Sequence, residues 1–176
     1  MVQLNLLEDG IQQHRVKVPM VIDKDASVQV VGRTKIEAPA NLTFAQGKFE
    51  SAGQQVLVKL VLGSRPPELL STTIIPGKVM NTGIVYADLV ITSLTGVKLA
   101  SQSNIPILWH DVLPSPGAQP GDIVQKHDFL IEGFEDVSAY CDCDGKFWLV
   151  LAVVVRYCIV VASERILQID AAEPFC

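Results

Sequence analysis

Four cysteines, Cys141, Cys143, Cys158 and Cys176, are the side chains best suited to chemistry in this chain, and all four fall in its last fifth. A disulfide framework that staples a small secreted domain spreads its cysteines along the chain to close loops. These four instead serve one end of the molecule. A tetrahedral zinc site takes four ligands, usually as two short-spaced pairs. The Cys141-x-Cys143 pair has no second pair to join, and His14, His110 and His127 lie far from it in sequence. The CxxC spacing of a dithiol redox centre is missing, as is the GxSxG of a nucleophile elbow. His110-Asp111 reads as a strand-end pair. The expectation is therefore no catalytic residue, no metal, no cofactor and no enzyme.

The elements that carry the cysteines are more informative. The stretch YCDCDGKFWLVLAVVVRYCIVV spans residues 140 to 161. Its uninterrupted apolar run, Phe147 to Val155, is far shorter than the ~20 residues of a spanning helix, and Arg156 ends it. No membrane span is expected. As a strand it is apolar on both faces, with Trp148, Val150, Val154 and Cys158 on one and Leu149, Leu151, Val153 and Tyr157 on the other. Such a strand is covered on both sides, either by two layers of its own chain or by one layer and a second copy. Trp148, Val150 and Val154 are the candidate assembly surface.

Asp144-Gly145 has the composition of a two-residue type I′ hairpin turn. That register sets Cys143 opposite Lys146 and Cys141 opposite Trp148, both on the Cys158 face. Cys158 then lies about 33 Å further along an extended strand, and alternate residues such as Cys141 and Cys143 sit about 6.5 Å apart, near the limit for a disulfide. Partners for these thiols belong to Cys176 or to a neighbouring molecule, which makes Cys141, Cys143, Cys158 and Cys176 candidates for intermolecular disulfides.

A chain of 176 residues suits one domain and buries roughly 70% of the surface that its unfolded form exposes. Apolar residues make up 49% and charged residues only 19%, more grease than a lone soluble domain needs. Net charge is −5, scattered along the chain, which excludes the basic stripe of a nucleic-acid surface. The opening MVQLNLLEDGIQQHR has no positive leader before an apolar block, so export by a signal peptide is not expected.

Valine, isoleucine and threonine dominate, and turn signals recur at short intervals. Strands are predicted over 16–22, 27–36, 54–62, 82–94, 97–109, 123–134, 138–143 and 147–162. Prolines throughout would break helices; residues 3–14 are the one place where a short helix competes, and Gly10 interrupts it. The predicted fold is all-β, a single antiparallel β-sandwich or barrel-like domain over 16–170, with an N-terminal arm or short helix (1–15) and a C-terminal tail (171–176). The arm and the strand edges could complete a neighbour's sheet.

Three stretches, in order, carry a resemblance: VPMVIDKDASVQVVGRTKIEAPA (18–40), IIPGKVMNTGIVYADLVI (74–91) and SNIPILWHDVLPSPGAQPGDIVQ (103–125). Together they resemble the SPOCS domain of endospore-forming bacteria, found in spore coat and exosporium proteins and in coat morphogenetic proteins. The resemblance covers roughly residues 16–170, and its most specific elements are the turn residues Pro76, Gly77, Gly83, Pro120, Gly121 and Asp122. It implies a structural role at the spore surface with no catalytic residue to carry over. It also implies synthesis in the mother-cell cytoplasm and other coat or exosporium proteins as partners. Morphogenetic members usually carry several copies and a peptidoglycan-binding LysM module; one copy without it favours a building block. The expected function is a self-assembling spore-surface protein of coat, exosporium or appendage that forms a lattice or filament, with intermolecular disulfides as its candidate lock. The alternative is a binding module that does not polymerise and that recruits or tethers a coat partner or a glycan.

Overall fold

The computed structural model describes the backbone of residues 12–171 and, within it, the side chains of residues 17–24 and 27–166. Among the described residues every regular element is a strand: β1 (Gln12–Glu37), β2 (Leu42–Ala45), β3 (Lys48–Ser51), β4 (Gln54–Leu62), β5 (Glu68–Ile75), β6 (Lys78–Ser93), β7 (Lys98–Pro114), β8 (Ile123–Phe134), β9 (Ser138–Cys141) and β10 (Phe147–Ala171). All pairings are antiparallel and form two sheets. The chain is an all-β, antiparallel sandwich with barrel-like curl.

In the first sheet β10 is central. β1 lines one of its edges from Gln12↔Ala171 to Glu37↔Trp148, while β9 and then β8 occupy the other. In the second sheet β6 takes the same role, with β7 on one edge and β5 followed by β4 on the other; β3 and β2 extend beyond β4. Strand alternation builds the core directly. From β10, Leu149, Leu151, Val153, Val155, Tyr157, Ile159 and Val161 face inward, and from the second sheet Val79, Val85, Leu89, Ile91, Ile105, Ile107 and Trp109 meet them. Each such side chain contributes about 1.5–3 kcal/mol on full burial.

One side of the sandwich is closed by the approach of β1 to β7. A Cβ added at Gly32 would stand 2.9 Å from Trp109 Cβ and 2.9 Å from the Leu108 carbonyl oxygen. The other side is open: among the described residues β5 ends the second sheet and β8 the first, and the two do not pair as strands.

The sequence reading placed β4 and β8 at their observed limits. The separate strands expected at 16–22 and 27–36 are one strand, because the polar residues between them stay paired with β10 across two irregularities, Val21/Asp23 and Asp25/Val28. Residues 12–15, expected in the arm, begin β1 by pairing with the end of β10, which runs to Ala171. Residues 1–11, with most of the competing helix, and residues 172–176 lie outside the described residues. Three strands were missed, β2, β3 and β5. Gln46-Gly47 (φ 52° and 78°) joins β2 to β3 and Ala52-Gly53 (φ 51° and 74°) joins β3 to β4, so type I′ turns are found at these two places.

Candidate functional site

The β9–β10 hairpin does not form the expected two-residue turn. Phe147 pairs with Cys141 and Trp148 with Tyr140, one residue out of the expected register. The cause is Asp142. Its carboxylate accepts backbone N–H bonds from Asp144 (3.0 Å) and Lys146 (2.8 Å) and the Trp148 indole N–H (2.7 Å). Gly145 donates to the Asp142 carbonyl and takes φ 77°, the three-residue loop whose last position is left-handed. The Trp148 hydrogen bond first, and then the two backbone N–H groups, hold the Asp142 carboxyl below the usual carboxylate range.

A one-residue slip turns a side chain to the opposite face. Cys141 therefore shares the face of Phe147 and Leu149, not that of Cys158, and Cys143 sits in the turn. Cys141 and Cys143 are exposed free thiols, whereas Cys158 is half-buried. Cys158 lies eleven residues beyond Phe147, about 36 Å along an extended strand. Cys176 lies outside the described residues.

Among the described residues no sheet lies over the second face of β10. Trp148, Val150 and Val154 lie half-buried along it. Lys35 sits 4.9 Å from the Trp148 ring centre, and Val154 pairs with the exposed Val31. Ion pairs frame this strip, Arg33 with Glu135 (3.7 Å) and Arg156 with Glu132 (3.0 Å). The coverage on both faces read from the sequence is thus one layer inside and a fringe of long charged side chains outside. A second apolar strip, which sequence reasoning missed, lies on the outer face of the other sheet, where Met80 pairs with Val112 and Leu108 with Ile84. Its signal was present in the alternation of Leu108 and Val112 with the buried Ile107 and Trp109.

Beyond the last β8 pairing, Ala162↔Ile123, β1 and β10 continue, among the described residues, as a two-stranded ribbon from Met20↔Ser163 to Gln12↔Ala171. Its described side chains include apolar groups in water, Met20 at 56% exposure and Ile166 at 67%, with a Lys17–Glu164 ion pair.

At the open side the core contains a polar network. Thr72, Asn81 and Asp111 are aligned across β5, β6 and β7. The Tyr157 hydroxyl donates to Asp111 and accepts from Asn81 Nδ2 (3.0 Å), Thr72 donates to Asn81 Oδ1 (3.3 Å), and the Lys126 ammonium donates to Thr72 Oγ1. Burial pushes Lys126 below the usual lysine range, opposed by the Asp111 carboxylate. Asp111 Oδ1 and Trp109 Nε1 are buried with no hydrogen-bond partner among the described residues. The expected His110-Asp111 pair is split by strand alternation, with Asp111 in this network and His110 exposed.

Trp109 roofs the network, 5.6 Å from Tyr157 and 6.1 Å from Phe129 between ring centres. Gly83 is what admits it, and this corrects its reading as a turn residue: it lies inside β6, where an added Cβ would collide with the Trp109 ring and stand 2.7 Å from Nε1. Pro76 and Gly77 do form the β5–β6 turn, and the Gly77 backbone exchanges 2.9 Å hydrogen bonds with Ala118 and Ser115 of the long loop. Pro120, Gly121 and Asp122 lead into β8, with the Asp122 carboxylate accepting the Gln119 N–H at 2.7 Å.

One metal-capable cluster was invisible in sequence. The β8–β10 irregularity between Arg156 and Cys158, together with Asp128 at φ 54°, groups donor atoms of His127, Asp128 and Cys158 within 4.8 Å. A nitrogen, an oxygen and a sulfur form a set suited to zinc-like ions, and they supply three of the four ligands of a closed site. His127 Nδ1 and Asp128 Oδ2 are 2.8 Å apart and pair with each other. Comparison with protein-family models, with curated proteins and with solved structures gives no match for this chain.

Proposed function

We propose that this protein is a self-assembling structural subunit of the bacterial spore surface, in line with its resemblance to the SPOCS domain, and that it associates through strand edges and exposed apolar strips. The observation that carries the reading is the two-stranded ribbon of β1 and β10. A lone pair of strands is at best marginal in water, and this one keeps Met20 and Ile166 exposed. A neighbouring sheet would satisfy both its edges and its apolar side chains. Cys141 and Cys143 are exposed on the β9–β10 hairpin, and their thiols would form covalent links between subunits in an oxidising environment. No catalytic step belongs to this reading.

Size-exclusion chromatography and negative-stain imaging with and without reductant test it. Regular oligomers or filaments are the expected result, and a stable monomer at high concentration in non-reducing buffer would sink the proposal. On non-reducing gels the wild type should give a reducible ladder that vanishes when all four cysteines become serine. If assemblies form without any such ladder, the covalent link is wrong and the assembly reading survives.

A further inference from the structure

We propose that the open side between β5 and β8 is an acceptor groove, and that residues 2–6 of a second copy of this chain fill it as an added strand. The inference rests on the assembly reading and names the two surfaces that meet. Among the described residues β5 and β8 each lack a neighbour on one edge, so two rows of unpaired backbone groups border the gap. Lys126 reaches from β8 to Thr72 of β5 across it, and the Pro120–Asp122 turn borders one end beside Thr73 and Ile74.

Side chains at core-facing positions are left half in water here. Phe129 stacks against Trp109 and Tyr157 yet is 41% exposed. Leu69, paired with the inward-facing Gly83, is 49% exposed. Among the described residues nothing covers them, whereas on the closed side the approach of β1 to β7 leaves Trp109 buried. A strand supplies the cover this gap calls for: apolar on one side, with backbone donors and acceptors for both edges.

The chain holds a segment of that chemistry outside the described residues. Val2, Leu4 and Leu6 alternate with Gln3 and Asn5, the period of a strand with one apolar face. Chain reach decides whose groove it fills. β1 starts at Gln12, at the far end of the ribbon, nine residues beyond the last β8 pairing, or about 30 Å. The five residues 7–11 span at most about 18 Å. Residues 2–6 therefore fall short of their own groove along an extended ribbon and meet that of a neighbour.

Complementation between full-length variants tests this. Leu4→Asp/Leu6→Asp disables the donor and keeps the groove; Leu69→Asp disables the groove and keeps the donor. Each alone should stay monomeric, and mixing the two should give a 1:1 dimer by light scattering, because one donor and one groove remain. Circular dichroism checks that both stay folded. As a second readout, a labelled peptide of residues 1–11 should bind the donor-disabled protein saturably, and Leu4→Asp in the peptide should weaken binding about tenfold to a hundredfold. Donor-disabled protein that assembles as wild type does, or a peptide that binds equally with Leu4→Asp, overturns the assignment while leaving self-assembly intact. A wild type that never assembles but whose groove takes the peptide overturns the assembly reading alone.

Discussion

Gly83→Ala puts one methyl group where the Trp109 ring lies. The added Cβ would overlap Cζ2 and Cε2 of that ring and stand 2.7 Å from Nε1. The ring has little room to retreat: Tyr157 and Phe129 flank it, and its own Cβ is held against Gly32 of β1. Overpacking of this kind costs typically about 1–3 kcal/mol, and with Trp109 confined the upper end is expected. At about 2–4 °C per kcal/mol for a domain of this size, the melting temperature should fall by about 6–12 °C. Urea denaturation at fixed protein concentration, in reductant and followed by tryptophan fluorescence, measures it. Gly133→Ala, where an added Cβ meets nothing within 4 Å, is the control and should be neutral within about 0.5 kcal/mol. Because the clash is with one ring, the penalty should largely disappear in a Trp109→Leu background, a coupling that a double-mutant cycle isolates. A Gly83→Ala protein as stable as the control, or an equal penalty in both backgrounds, would refute the reasoning.

Three further outcomes are expected. Tyr157→Phe removes the hydroxyl that joins Asn81 to Asp111 and leaves both with unsatisfied buried groups; equilibrium unfolding should register a loss of about 1–3 kcal/mol. Lys126 has a folded-state pKa below its unfolded value of 10.5, so the unfolded state binds more protons between the two values and stability rises with pH across that window. The stability of wild type relative to Lys126→Met should accordingly increase as pH is raised towards 10.5, and a flat difference would contradict the burial of the ammonium. Asp142 has the opposite sense: its carboxyl is depressed below 3.8, so its contribution is present above that value and is lost as pH falls through the folded-state pKa. Asp142→Ala should remove that acid-side loss and alter the fluorescence of Trp148, whose N–H it frees.

Much of the fold was legible because β-structure writes a period of two into the sequence. β10 declared itself through the odd-numbered residues from Leu149 to Val161, and β4 and β8 through apolar alternation between turn signals. β5 was missed because Glu68–Ile75 lies at a sheet edge with its side chains largely exposed, so no buried face imposed a pattern on it. The hairpin at Asp144-Gly145 was read in the wrong register because the dipeptide reports only local φ preference. The Asp142 carboxylate, bound to two backbone N–H groups and to Trp148, selected the longer loop.

What the sequence determined by itself is the class of fold and the position of the exposed thiols near a turn, since both follow from local composition and spacing. Pairing between distant strands decided the rest. It set Thr72, Asn81, Asp111, Lys126 and Tyr157 in one network, brought Cys158 to His127 across β8 and β10, and made Gly83 a seat for Trp109. It also left β5 and β8, among the described residues, each paired on one edge only. These residues are tens of positions apart, so their meeting depends on sheet order and register, which a single strand's alternation does not encode.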